Sequence, residues 1–282
     1  MSFHYSISGY ALSDKTLRTG IWLLDATEYA PALAPRRLDA KVPGRHYQIP
    51  AYKDPMSEST VSMRIRMRGT SAADLANYWD LLTGLLWNGS SDGLQLKRWR
   101  QGVTEETATA QLLTRSTPDF HSNANILDTT VVFNIPGGCW RGPVVQDNYT
   151  GQGTWTSSLA TSSTMPCNDA QILVTGPVTS FMLRDGITRT GVRWGGLGQT
   201  VPSGSYLLIN TDVMRAGINS TPTWDTLSVN ASSSLIMVDD GPLVVASRWS
   251  GDGSGGVVKS SQIVIERSPN GPVAMRAPWT RA

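Results

Sequence analysis

The sequence predicts a mostly β protein with two modules: an N-terminal module of strands with one packed α-helix, either an α+β fold or a small β-barrel, and a C-terminal β-sandwich. The chain of 282 residues contains 27 glycines and 16 prolines, which separate many short apolar segments. Only one stretch repeats apolar residues strongly at helical spacing, and it lies in the first half. The composition, 40% hydrophobic and 16% charged, is sufficient for packed cores and argues against global disorder.

The strands of the first module are predicted from alternating polarity. Apolar and polar residues alternate over Leu94–Lys97, and Arg98 and Trp99 break this pattern. Two further strand candidates are Thr107–Thr114 and Thr129–Ile135. A period of two gives each strand one buried and one solvated face. The clearest example sets Val61, Met63, Ile65 and Met67 against Ser62, Arg64, Arg66 and Arg68.

The helix is predicted over residues 71–87. Ser71, followed three residues later by Asp74, forms a variant of the capping box with aspartate in place of glutamate or glutamine. The Asn88-Gly89 pair ends the helix. The apolar residues Leu75, Tyr78, Trp79, Leu82, Leu85 and Leu86 fall on one face.

The second module begins after residues 136–143, a segment of prolines and glycines that is not expected to form regular structure. A stretch rich in Ser, Thr and Gly follows at Gln152–Thr164, and short strands separated by turn signals then favour a β-sandwich. The predicted strands are Gln171–Val174, Ser180–Asp185, Gly191–Trp194, Ser205–Asn210, Thr226–Val229, Ser234–Val238, Val257–Arg267 and Val273–Trp279.

Charge and targeting signals narrow the class of protein. A formal net charge of +2 gives no general attraction to nucleic acid or to an anionic membrane. The sequence contains no apolar run near the length of about 20 residues that spans a bilayer. The segment Met1–Tyr10 lacks the basic start and apolar stretch of a secretory signal, so synthesis in the cytoplasm is expected.

Catalytic and metal motifs are weak throughout, and we expect no enzymatic activity, cofactor or metal. The segment 89–93 matches GxSxG, but a helix precedes it and a strand follows, the reverse of a hydrolase elbow. The segment 251–256 matches GxGxxG, but it precedes a β-like run, which favours a hairpin loop. Asp239-Asp240 reads as a turn rather than a calcium site. The remaining candidates are His4, His46 and His121, which lack ligand spacing, and Cys139 and Cys167, which we expect to be free thiols unless they approach closely enough to pair.

Basic and aromatic residues give two further hypotheses. An arginine row on one strand, with basic residues after the helix, reads either as a solvated face or as a subunit interface or lumen where guanidinium groups bind carboxylates. Its members are Arg64, Arg66, Arg68, Lys97 and Arg98, with Arg100 nearby. The tryptophans Trp140, Trp155, Trp194, Trp224 and Trp249 are expected mostly in cores or interfaces, with a sugar-stacking platform as the alternative.

The order of these features resembles the siphophage distal tail protein (Dit) family across nearly the whole chain. The features are a Pro-Gly-Arg turn at 43–45, the strand at 61–68, the capped helix, the linker at 136–143 and a sandwich that contains Gly204–Thr211. The resemblance implies a belt domain at residues 1–141, which closes into a hexameric ring, and a galectin-like sandwich at 142–282.

That family resemblance also implies a function and partners. The chain would form a ring at the tail tip of the virion, made in the host cytoplasm, that joins the tail tube protein to the baseplate hub or tail-fibre protein and lets DNA pass. A tape measure protein is a further partner, and no membrane is involved. The alternative is a minor tail or receptor-binding protein whose sandwich binds a host cell-wall saccharide.

Overall fold

In a computed structural model, the chain is described at residues 3–12, 19–24, 27, 59–88, 93–100, 104–121, 125–136, 138–195, 198–219, 224, 235–238, 241–251 and 253–281. The described residues form mostly antiparallel strands with two helices, which confirms the predicted mostly β class. None of the helices in these ranges is long and apolar enough to cross a membrane. The chain divides into two compact units, one up to Arg141 and one over Gly142–Arg281.

The first unit is an antiparallel sheet that curls around one core. Its elements are β1 (Phe3–Ile7), β2 (Tyr10–Ala11), β3 (Gly20–Leu23), β4 (Ser59–Arg68), α1 (Ala72–Asn88), β5 (Leu94–Arg100), β6 (Glu106–Arg115), β7 (Asp119–His121), β8 (Ile126–Ile135) and the start of β9 (Trp140–Thr150). The strand order is β2-β1-β5-β6-β8-β4-β3, and β7 also pairs with β8. The amide of Leu23 donates to the Leu12 carbonyl, and the Leu12 amide donates to the Tyr5 carbonyl, so the two ends of the sheet meet as in a small barrel.

Strand β4 shows the predicted alternation along its full length. It pairs with β8 from Ser59↔Ile135 to Arg68↔Ile126, and this register directs its apolar side chains into the core. Val61, Met63 and Met67 are fully buried, as is Ile65 between them, because successive side chains of a strand point to opposite faces. The arginines of β4 consequently share its outer face.

Helix α1 begins one residue later than predicted and is capped as its sequence indicates. The Ser71 hydroxyl accepts a hydrogen bond from the Asp74 amide at 3.2 Å. The Asp74 carboxylate in turn accepts from the amide and hydroxyl of Thr70, at 2.8 and 3.0 Å, rather than from Ser71. The helix buries Leu75, Leu82 and Leu86 in the same core as the inward side chains of β4.

Two expectations for the first module were wrong, both because of contacts distant in sequence. Arg98 does not break the alternation of β5, since it points inward and pairs with Glu106 on the neighbouring strand. The segment 136–143 is not irregular throughout, because β9 starts at Trp140, which is fully buried, and pairs with β6 at Thr107↔Arg141.

The second unit is a two-sheet β-sandwich. Its elements are β10 (Gly153–Thr156), α2 (Leu159–Ser162), β11 (Gln171–Thr175), β12 (Ser180–Asp185), β13 (Gly191–Gly195), β14 (Tyr206–Asn210), β15 (Arg215–Asn219), β16 (Leu235–Val238), β17 (Arg248–Gly251), β18 (Val257–Ser260), β19 (Gln262–Ser268) and β20 (Pro272–Arg281), together with β9. One sheet has the order β15-β14-β11-β20-β9 and the other β10-β19-β12-β13-β16, and their inward side chains share one hydrophobic cluster. A separate hairpin is formed by β17 and β18.

Local differences from the predicted sandwich have identifiable causes. The single strand predicted at Val257–Arg267 is divided at Ser261, a fully buried residue between β18 and β19. The short helix α2 was not predicted; its start is fixed by Asp147, whose carboxylate accepts from the Ser157 hydroxyl at 2.6 Å and from the Ser158 amide and hydroxyl. The strand predicted at Thr226–Val229 lies outside the described residues.

Candidate functional site

The arginine row of β4 forms the candidate surface of the first unit. Arg64, Arg66 and Arg68 lie on the outer face of the strand, opposite the core. We call these three residues, together with Asp128, the arginine face. The register places Arg66 directly across from Asp128 on β8, and Asp128 across from Asp119 on β7. Charges from three neighbouring strands therefore meet on one side of the sheet.

Arg66 is committed to an ion pair within its own unit. Its Nε and Nη2 atoms donate to the two carboxylate oxygens of Asp128, each at 2.7 Å, in a bidentate pair. The hydrogen bond from Arg66 holds the pKa of Asp128 below its usual range, and the charges of Arg66, His121 and Arg64 act in the same direction while burial opposes them. The His121 imidazole lies 3.8 Å from the carboxylate of Asp128 and 3.8 Å from that of Asp119.

Arg64 and Arg68 differ from Arg66 because their side chains are exposed. Within the described part of the chain, neither guanidinium makes a hydrogen bond or a salt bridge. They flank the Arg66–Asp128 pair at a separation of about 13 Å along the strand, from four residues at about 3.3 Å each. The surface therefore presents two uncommitted positive charges on either side of a neutralised pair.

The two remaining members of the predicted set have separate positions. The Lys97 ammonium contacts the Glu105 carboxylate at 2.9 Å on the surface of β5. Arg98 is buried, with its Nε 2.6 Å from the Glu106 carboxylate and its guanidinium 4.3 Å from the centre of the Trp140 ring. Arg98 therefore stabilises the core of its own unit, and grouping it with the arginine face was wrong, because its side chain points to the opposite side of the sheet.

A second unusual surface of the first unit, the exposed side of α1, was missed by the sequence analysis. The helix contains two charged residues, Asp74 and Asp80, and no lysine or arginine. Exposed helix surfaces of monomeric proteins normally carry many charges of both signs. Trp87 is 77% exposed, and Leu81, at the rim of the surface, is 39% exposed. The absence of lysine and arginine from the predicted helix could have indicated this surface, whereas the apolar periodicity indicates only the buried side.

The outward residues of α1 form one stripe that we call the helix face. At 100° per residue, its members fall within about 100° of arc around the helix axis. Asp80 and Trp87 are separated by seven residues, so they lie on the same side about 10 Å apart. The helix face consists of Ala73, Ala76, Asn77, Asp80, Gly84 and Trp87.

The described residues give no support to a catalytic or metal centre. His4 stacks on Trp99 at 5.5 Å, and no group of three potential ligands that could hold a metal occurs among the residues described. The glycine-rich segment at 251–256 joins the antiparallel strands β17 and β18, which confirms a hairpin rather than a phosphate-binding loop. His46, the Ser-Ser-Asp of the segment 89–93 and Asp239-Asp240 lie outside the described residues.

The tryptophans singled out from the sequence have different environments. Trp140 is fully buried in the first unit and Trp194 is 1% exposed in the second, so neither ring can stack on a sugar. Trp155 packs on Tyr149 at 5.3 Å, and Trp224 lies under the Arg276 guanidinium at 4.9 Å. Trp249 is exposed, on the β17–β18 hairpin.

The outer face of the second sandwich sheet carries a shallow groove of about 320 Å³. Arg193, Met182 and Glu266 form a row across three adjacent strands within it. Its described lining residues include no tryptophan or tyrosine, and the one aromatic residue among them, Phe181, is buried. None of the five tryptophans that suggested a sugar-stacking platform is among these lining residues.

The two cysteines are free thiols, as expected. Cys167 is fully buried, and its sulfur lies 3.2 Å from the Ser163 hydroxyl and 3.3 Å from the Thr280 hydroxyl. Burial raises the pKa of the Cys167 thiol, which keeps it protonated and unreactive at neutral pH.

Comparison with known proteins shows the class of fold. No family model and no curated protein matches the sequence. Among solved structures, the chain is similar to one described as the SPP1 Dit (gp 19.1) protein, a paradigm of hub adsorption apparatus in phages infecting Gram-positive hosts. The TM-score is 0.59 at 10% sequence identity, and the alignment covers 100% of both chains. At this identity the similarity establishes the fold, and it extends through both units.

Two structures of the phage P2 baseplate in its activated conformation are more distant. The structure with Ca has a TM-score of 0.39 at 11% identity, and the structure with Sr has 0.39 at 10%. Each alignment covers 100% of this chain and 99% of the other.

Proposed function

We propose that this chain is a structural protein of a phage tail tip, and that it assembles into a ring between the tail tube and the baseplate hub or fibre. The observation that carries the proposal is the match of the whole fold to a Dit hub protein, with neither chain left uncovered. A fold alone permits several functions. In this case the surface chemistry of the first unit supports an assembly role.

Ring formation requires two different surfaces on each subunit, because a closed heterologous assembly joins one patch to another by rotation. The arginine face offers the uncommitted charges of Arg64 and Arg68, and the helix face exposes Trp87 without a covering partner. A monomer would expose both surfaces to solvent. In the proposed ring, neighbouring subunits cover them.

The charge balance suits a ring through which DNA passes. A formal net charge of +2 distributed over 282 residues provides little general attraction for phosphates. Strong binding would retard DNA during ejection, whereas a nearly neutral ring would not. The ring number, six in the proposal, and the neighbouring tail tube, hub and tape measure proteins follow from the family resemblance.

The test is the assembly state of the purified full chain, measured by light scattering at several concentrations and by negative-stain electron microscopy. The expected result is a closed ring with a central hole and a mass near six chains. The tail tube protein encoded by the same phage should be added in a parallel sample, because a ring can require its platform. Monomers in both samples at high concentration would contradict the proposal.

A further inference from the structure

We infer that the helix face of one copy of this chain docks on the arginine face of the next, with Asp80 and Trp87 engaging the guanidinium groups of Arg64 and Arg68. The inference rests on the proposed ring and specifies the contact that would build it. It assigns the occupant of both exposed surfaces as a second copy of the same chain.

Charge complementarity identifies the partner. Asp74 is occupied by the helix cap, so Asp80 is the one charge of α1 that makes no hydrogen bond or ion pair among the described residues. Arg64 and Arg68 are the corresponding uncommitted cations on β4. Arg115 of β6 also lies against α1, where its guanidinium donates to the Thr83 hydroxyl at 3.1 Å and lies 4.4 Å from the centre of the Trp79 ring, so it is engaged within its own unit. Asp80 on one copy and Arg64 and Arg68 on the next carry opposite charges that neutralise one another on contact.

The spacing of the groups also agrees. Asp80 and Trp87 are about 10 Å apart along the helix, and Arg64 and Arg68 are about 13 Å apart along the strand. Arginine side chains are long enough to absorb the difference. A carboxylate binds one guanidinium through paired hydrogen bonds, and an indole face binds the other by a cation–π contact, two modes for which arginine is well suited.

The two faces lie on opposite sides of β4, as a head-to-tail contact requires. Helix α1 packs into the core with the inward residues Met63, Ile65 and Met67, whereas the arginines project outward from the same strand. Each subunit can therefore contact one neighbour through its helix and another through its sheet. The same contact can therefore repeat from subunit to subunit until the rotation between neighbours closes a ring.

Gly84 supports a closely packed contact at the centre of the helix face. A glycine in a helix is less stable than an alanine. A Cβ added at Gly84 would meet nothing within 4 Å, so packing within the described part of the chain does not require a glycine there. A flat surface at this position would instead allow a neighbouring strand to approach between Asp80 and Trp87.

The test uses two full-length double variants that each lose one face. The arginine-face variant is Arg64→Ser with Arg68→Ser, and the helix-face variant is Asp80→Lys with Trp87→Ser. All four positions are exposed, and circular dichroism with thermal melts confirms that each variant is folded. We expect self-association at least tenfold weaker than in the parent chain for each variant alone. An equimolar mixture should form a heterodimer, because one intact face of each kind remains and the chain of contacts ends there.

Matched control variants change the same residue types in the second unit. Asp212→Lys and Trp249→Ser alter an exposed aspartate and an exposed tryptophan, and both should assemble like the parent chain. A steric variant, Gly84→Gln, should keep the fold while weakening association at least tenfold. These controls separate a specific contact from a general change in charge or solubility.

If association is too weak to measure directly, disulfide trapping at high concentration captures the contact covalently. We expect Asp80→Cys combined with Arg64→Cys or Arg68→Cys to give a ladder of covalent oligomers larger than dimers, whereas Asp80→Cys alone gives none. Parent-like assembly of either double variant, a monomeric equimolar mixture, or the absence of a ladder from both cysteine pairs would overturn the contact. If both double variants still form rings, the interface is refuted and the proposed function stands. If the mixed variants form heterodimers but the parent chain forms no ring, the interface is supported and the proposed ring is refuted.

Discussion

Asp185, fully buried in the second unit, connects the turn after β12 to the segment that contains Ala246. Its carboxylate accepts from the amides of Ile187, Thr188 and Ala246 at 2.7, 2.8 and 2.9 Å. Asp185→Ala leaves these donors without an acceptor, and each costs about 1–3 kcal/mol when buried. We expect the free energy of unfolding of the second unit to fall by about 3–5 kcal/mol in urea denaturation. Asp212→Ala, an exposed control, should change it by less than about 0.5 kcal/mol.

The buried pair of Arg98 and Glu106 gives a prediction for the first unit. Glu106→Ala removes a carboxylate 2.6 Å from the guanidinium and leaves a buried positive charge against the Trp140 ring. The expected loss of unfolding free energy is about 3–5 kcal/mol. The double variant Arg98→Met with Glu106→Leu should recover much of that loss, because an apolar pair needs no neutralisation. A double variant as unstable as Glu106→Ala would contradict this explanation.

Asp128 makes the stability of the first unit dependent on acid pH. Its pKa is lowered in the folded protein, chiefly by the Arg66 hydrogen bond. The stabilisation is therefore complete above the unfolded carboxyl pKa, about 4, and is lost as pH falls through the lower folded value. Asp128→Asn removes this dependence. Arg66 is one-third exposed, so solvent screens the pair and keeps the expected effect small. Between pH 7 and pH 2, the free energy of unfolding measured in urea should fall by about 1 kcal/mol more in the parent chain than in the variant. Equal losses would exclude the pair as the cause.

Individual contacts of the arginine face could be predicted only in part. Alternation along β4 predicts that Arg64, Arg66 and Arg68 share a face, because the pattern is contained in ten consecutive residues. The partner of Arg66 depends on the register with β8, 62 residues away, which single-sequence periodicity does not provide. The burial of Arg98 likewise depends on the strand that carries Glu106.

At the scale of elements, the start of α1 is a testable local feature. The Ser71 hydroxyl accepts from the Asp74 amide, and a cap of this kind contributes about 1 kcal/mol. Ser71→Ala should lower the unfolding free energy of the first unit by about that amount, measured in urea with circular dichroism. Ser71→Thr, which retains the oxygen, should preserve most of the stability. An alanine variant as stable as the parent chain would show that the cap is dispensable.

The same elements show where sequence reasoning succeeds and where it fails. The helix was predicted to within one residue at each end because its cap and its apolar stripe are local signals. The start of β9 was missed because its anchor, Trp140, packs against residues such as Tyr5 at the other end of the unit. Helix α2 was missed because Asp147, which fixes its start, lies 11 residues before Ser158.

At the scale of the whole molecule, the pattern of apolar residues determines the fold more than the identity of individual residues does. Two chains that share 10% of their residues have the same fold over their full length. Cores built from alternating apolar residues tolerate extensive substitution when the pattern and volume are kept.

The proposed function places the chain at the tip of a phage tail. Its most direct test is immunogold electron microscopy of the particles whose genome encodes the chain, with antibodies raised against the purified protein. We expect gold particles at the distal end of the tail, and no labelling once the antibody is absorbed with the protein. Labelling along the tail tube or on the capsid, or virions that contain none of the chain, would contradict this location.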